Sequence, residues 1–118
     1  MNLLEETLEV LAKFGKTPKD VRWVGSADGE FAITWDEFVK IADVEYNDGF
    51  GAQEVAEDLV VVGDDWWLER REYDGSEWWE FKTLPKKKKN AKKFDKVLAT
   101  QAGKVGWVKL KEINEGGE

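Results

Sequence analysis

Apolar residues recur at two periods along this chain, and the switches between them mark out its elements. From Leu3 the spacing is three to four, so Leu3, Leu4, Leu8, Leu11 and Phe14 fall on one helical face. Asn2 stands where an N-cap belongs, Glu5 three residues on supplies the acid of a capping box, and Gly15 before Thr17-Pro18 ends the segment. The period then drops to two. Val21-Arg22-Trp23-Val24 and Phe31-Ala32-Ile33-Thr34 read as strands around a Ser26-Ala27-Asp28-Gly29 turn. Thr34-Trp35-Asp36-Glu37 is a second capping box opening a short helix, with Trp35, Phe38, Val39, Ile41 and Ala42 expected to face inward. Residues 43–57 are irregular. Asp48-Gly49-Phe50-Gly51 is a turn cluster, and residues 52–57 are expected to add one helical turn. Leu59-Val60-Val61-Val62 reads as a buried strand.

The most informative stretch runs from Trp66 to Thr83. Asp74-Gly75 is a strong two-residue hairpin signal, because a type I′ turn needs positive φ at both positions. That turn sets the register: Tyr73 opposite Ser76, Arg71 opposite Trp78, Glu69 opposite Glu80, Trp67 opposite Lys82. One face then carries Trp66, Leu68, Trp79 and Phe81 and is expected to be core. The other carries Trp67, Tyr73 and Trp78 among Glu69, Arg71, Glu80 and Lys82. Such a face suits a protein interface, or lies under another segment with Arg71 stacked on Trp78. Glu69 opposite Glu80 costs stability unless Arg71 or Lys82 comes between them.

Hairpins and runs of strands, rather than alternating βαβ units, indicate an α+β fold. A mainly antiparallel sheet is expected from residues 21–24, 31–34, 59–62, 66–73 and 76–83, two hairpins plus a buried strand, with helices 3–14 and 35–42 packed on one face. Residues 1–84 form the compact domain, 85–93 a lysine-rich linker, and 94–118 a small appendage packed in part on the domain, fraying over 115–118. In the appendage Phe94, Val97, Leu98, Val105, Trp107, Val108, Leu110 and Ile113 restore apolar content, and helix and strand readings compete over 91–113.

Composition then narrows the chemistry. At 118 residues and 42% apolar the chain suits one modest core. It has no cysteine and no histidine, which removes disulfides, thiolate chemistry and the usual general base and zinc ligand. No run approaches the length of a membrane span, and Glu5, Glu6 and Glu9 occupy the place of a signal peptide's basic residues, so a cytoplasmic location is expected. The net charge of −7 is split unevenly: residues 1–84 carry 21 acids and 8 bases, residues 85–118 carry 4 acids and 10 bases. The asymmetry is either an interaction surface or self-neutralisation.

Individual motifs are weak. Asp43, Glu45, Asn47 and Glu54 imitate an EF-hand spacing, but Asp48 occupies the position of its glycine. Gly49-Phe50-Gly51 lacks the flanks of a phosphate loop and has Asp48 and Glu54 beside it. Glu57-Asp58, Asp64-Asp65 and the Glu69/Glu80 pair fit an alternating-charge surface better than an acid–base dyad. Lys86, Lys87, Lys88 and Lys89 offer at most weak phosphate contact. We therefore expect no enzyme, no cofactor, no metal and no membrane partner. The residues expected to contact a partner protein are Trp67, Arg71, Tyr73, Trp78, Asp48, Phe50, Glu54, Asp64 and Asp65.

The block 59–70 (LVVVGDDWWLER), with 72–82 (EYDGSEWWEFK) and 46–55 (YNDGFGAQEV), resembles small proteins encoded by phages and mobile elements of Gram-positive bacteria, as does the opening helix with Gly15-Lys16-Thr17-Pro18. The resemblance covers residues 3–85; the lysine-rich tail departs from it. It implies genomic context, and so a bacterial host cell, and carries no activity or site with it. By analogy with small acidic phage proteins, it points to an inhibitor of a host defence protein of the anti-CRISPR type, for instance a nucleic-acid-binding effector whose basic cleft is met by an acidic mimic. A nucleotide-binding module with stacking tryptophans and Arg70 or Arg71 as its cation is the alternative, and a structural phage component a third reading.

Overall fold

The order of capping residues and β-periodic runs is reproduced in a computed structural model that describes residues 1–49 and 51–115. Helix α1 spans Leu3–Lys13; the Asn2 side chain accepts the Glu5 N–H at its start, as an N-cap should. At its end Gly15, at φ 72°, donates to Ala12 and Lys16 donates to Leu11, the paired bonds of a Schellman motif. Helix α2 spans Trp35–Ala42, and its capping box closes in both directions, Glu37 N–H to Thr34 Oγ1 at 3.1 Å and Thr34 N–H to Glu37 Oε1 at 2.9 Å.

Five antiparallel strands form one sheet: β1 (Trp23–Ser26), β2 (Ala32–Ile33), β3 (Leu59–Val62), β4 (Trp66–Tyr73) and β5 (Ser76–Thr83), in the order β2-β1-β3-β4-β5. The fold is α+β, as expected. The register of β4 and β5 is the one dictated by Asp74-Gly75, with φ 51° and 87° at those two residues. Side-chain alternation then builds a continuous row across the sheet, Ile33, Val24, Val61, Leu68 and Phe81, each opposite the next. Its three central members are fully buried, and with Leu3, Leu11, Phe38, Ala42, Trp66 and Trp79 they make the core under the two helices.

The structure differs from the sequence reading at several points. β1 runs two residues later than expected because Gly25 and Ser26 pair with Val60 and Leu59, and the hairpin closes through Ser26 N–H to Phe31 C=O. Gly25 permits this closure: a Cβ there would lie 1.8 Å from the Phe31 carbonyl oxygen. The face α1 buries is rotated, so that Glu6 and Thr7 are enclosed while Leu8 and Phe14 are exposed, Phe14 stacking on Phe81 at 4.3 Å. Ile41 on α2 is also exposed. Residues 52–57 form no helical turn, because the Glu54 and Val55 N–H groups are drawn to the Glu77 carboxylate and cannot enter a helical ladder.

The chain divides into two compact units, Met1–Pro85 and Lys86–Glu118. Within the second, a 3₁₀ turn (Ala99–Ala102) and helix α3 (Leu110–Glu115) are described. Asn114 ties α3 to the preceding segment, accepting from Lys96 N–H and donating to Lys96 C=O, and Lys92 pairs with Glu115 at 3.0 Å. Glu115, expected to fray, is therefore helical and ion-paired, and residues 116–118 lie outside the described residues. Of the apolar positions picked out there, Ile113 is buried, Val108 is half-buried and Trp107 is fully exposed, since so short a unit cannot enclose them all.

Candidate binding face

Helices α1 and α2 cover one side of the sheet, and the other carries the functional candidates. Alternation along β1, β3, β4 and β5 brings Trp23, Val62, Trp67 and Lys82 into one transverse row, with Val60, Glu69 and Glu80 in the next and Arg71 opposite Trp78 beyond. Trp67 and Trp23 are half-buried, Trp78 is 39% exposed and Tyr73, at the hairpin tip, 76%. Trp67, Arg71, Tyr73 and Trp78 are thus brought together. Trp23 joins them although sequence reasoning saw it only as a strand residue; the signal was its parity, which register with β3 and β4 turns toward the same face.

Charges on this face are internally matched. Arg71 lies between the facing glutamates, 3.4 Å from Glu80 and 3.9 Å from Glu69, and Lys82 reaches Glu80 at 3.2 Å. Trp67 Nε1–H donates to Glu69 at 2.7 Å, which fixes the indole. The cross-strand repulsion is relieved as required, and Arg71 turns to carboxylates rather than stacking on Trp78. Acidic surplus lies at the margin, where Glu57 and Asp58 are exposed and, among the described residues, form no ion pair.

The remaining candidates lie elsewhere. Asp64 is held by Arg22 through two bonds, at 2.7 and 2.9 Å, in the turn between β3 and β4, where the Asp65 carbonyl accepts from Leu84 N–H. Asp48 gives its carbonyl to Glu77 N–H, and Glu54 accepts from Asn47 N–H, so both order the loop that flanks β5. Phe50 lies outside the described residues. Of the calcium-like set, Asp43 accepts from Asn2, Glu45 pairs with the N-terminal ammonium and Asn47 accepts from Gly49 N–H; among the described residues no three carboxylates gather to hold a metal.

Beneath the sheet lies an ionic cluster that the sequence reading missed. Arg70 and Glu77 share the parity of Leu68 and Trp79, so both side chains enter the core. Arg70 Nη2 donates to Glu77 at 3.0 Å and to the Tyr46 hydroxyl at 3.1 Å, Nη1 lies 3.6 Å from Glu6, and the guanidinium sits 4.7 Å from the Trp79 ring centre. Tyr46 donates its hydroxyl proton to Glu6. Burial alone would lower the Arg70 pKa; its bonds to Tyr46 and Glu77 and the charge of Glu6 raise it instead.

Burial, and then its bond to Glu6, push the Tyr46 hydroxyl well above its usual value near 10. The unfolded chain therefore releases this proton at lower pH than the folded one. The associated stability is complete below pH 10 and is lost as pH rises beyond it. Thermal melts should show a steeper fall above pH 10 in the native sequence than in Tyr46→Phe; equal slopes would contradict this role.

No protein-family model matches this chain, and comparison with curated proteins and with solved structures likewise finds no match. Among the described residues no helix is long and apolar enough to cross a membrane.

Proposed function

We propose that this protein is a non-catalytic binding protein that docks its open sheet face on a basic surface of another protein, acting inside a bacterial cell as a phage-type inhibitor of a host defence protein. The observation that supports this reading is the set of aromatic side chains, Trp67, Trp78 and Tyr73 with Trp23, on a sheet face whose backbone is fixed by eight facing residue pairs of one hairpin. Such residues bury large areas on association at small entropic cost, and interleaved charges supply specificity. The charge of the hairpin itself is balanced, so aromatic anchors carry the contact and the acidic margin at Glu57 and Asp58 steers it.

A nucleotide module finds less support. The Arg70 guanidinium is committed beneath the sheet and Arg71 is held between two glutamates, so each cation that a phosphate would need is already engaged by carboxylates.

The test begins with capture of the partner from a bacterial host lysate, followed by affinity measurements on purified components. Trp78→Ala should weaken binding by about 2 kcal/mol or more while leaving the melting temperature nearly unchanged. Association should slow as salt rises. Unchanged affinity in Trp78→Ala would move the contact to the 43–58 loop.

A further inference from the structure

Between the two half-buried tryptophans the open face is not flat. Trp23 on β1 and Trp67 on β4 stand on either side of Val62, two strands and so about 10 Å apart at the backbone. Together with Val60 they bound a groove of about 600 Å³ whose rim carries Glu57, Asp58 and Glu69. Arg70 also borders it, but its guanidinium points to the opposite side of the sheet, where Glu77 and Tyr46 hold it. On the open face Lys82 is paired with Glu80, and Arg71 lies between Glu80 and Glu69. The groove therefore presents aromatic walls, an apolar floor and a rim on which Glu69 is already engaged by Trp67 and Arg71 while Glu57 and Asp58, among the described residues, form no ion pair.

We propose that this groove receives an arginine side chain of the partner protein. The inference rests on the binding reading above and names the chemistry that its face selects. The three-carbon stem of arginine matches the Val60 and Val62 floor, its flat guanidinium stacks on indole, and its N–H fork can reach carboxylates on the rim. The complementarity of charge excludes acidic and phosphorylated ligands. A neutral apolar side chain would leave Glu57 and Asp58 partly desolvated without a partner.

The probe is a Gly-Ser-Arg-Ser-Gly peptide titrated to millimolar concentration, with the same peptide carrying citrulline or lysine as controls. The readout is the indole N–H resonances, assigned by single tryptophan substitutions. The arginine peptide should move the Trp23 and Trp67 signals and leave that of core Trp79 in place. Citrulline, which keeps the shape and loses the charge, should bind roughly tenfold more weakly or not at all. The Glu57→Gln/Asp58→Asn variant alters exposed residues only; it should fold normally, weaken arginine binding and flatten its salt dependence. Trp23→Leu should remove the response. Equal binding of citrulline or lysine, or unmoved Trp23 and Trp67 signals, overturns the assignment. If the peptide leaves these signals unmoved while Trp78→Ala still abolishes capture of the protein partner, the groove assignment falls and the docking face stands. If the peptide binds as described and Trp78→Ala is silent, the reverse holds.

Discussion

Trp79→Ala is expected to destabilise the first unit by about 3–5 kcal/mol, the cost of removing a large aromatic from a packed core. Trp79 is 5% exposed and serves three contacts at once. Its ring packs in the cluster with Trp66 and Leu68, its face carries the Arg70 guanidinium at 4.7 Å, and its Nε1–H donates to Thr7 Oγ1 at 2.9 Å. Truncation opens a cavity and leaves Thr7 without that donor. For a unit of this size the loss corresponds to a drop in melting temperature on the order of 15 °C or more. Its sequence neighbour Trp78 points the other way, and the same substitution there should scarcely move the melt. Comparable losses at both positions would mean that the open face is covered in solution.

The second large effect is expected at Arg70. Arg70→Met keeps much of the side-chain volume and removes the charge that lies between Glu6 and Glu77. Two carboxylates then remain in a buried site with no cation, and breaking such a cluster from one side costs about 3–5 kcal/mol. Adding Glu77→Gln should recover part of the loss, because the amide oxygen can still accept from the Glu54 or Val55 N–H while the buried negative charge is gone. The coupling is read from urea melts of the single and double variants. Simple additivity of the two substitutions would show that the ion pair contributes no interaction energy of its own.

These two sites also show which features were readable in advance. Asp74-Gly75 sets the hairpin register through backbone conformation alone, and Thr34 with Glu37 sets a helix start through two local hydrogen bonds. Both are decided within a few residues. Arg70 is decided by Tyr46 and by Glu6 in α1, 24 and 64 positions away, and Glu77 by the Glu54 and Val55 N–H groups, 23 and 22 positions away; their polarity disguises both as surface residues. Strict alternation from Leu68 and Trp79 places them in the core all the same. Tertiary pairing also explains the rotated face of α1: enclosing Glu6 and Thr7 serves Tyr46, Arg70 and Trp79, and Leu8 is left outside. On the candidate face, Trp67, Arg71, Tyr73 and Trp78 followed from hairpin parity, whereas Trp23 depended on a pairing between β1 and β3 that no local pattern announces.

The strand order has a kinetic consequence. β3, β4 and β5 are joined by short turns and lie side by side, so this meander closes small loops and is expected to form early. β1 must reach β3 across α2 and the long 43–58 segment, which makes its docking the slow, entropically costly step. The groove wall at Trp23 comes from that late partner, and the wall at Trp67 from the early one. A refolding molecule therefore holds its hairpin anchors before it holds its groove. A ligand that needs both walls would distinguish a finished molecule from a half-assembled one.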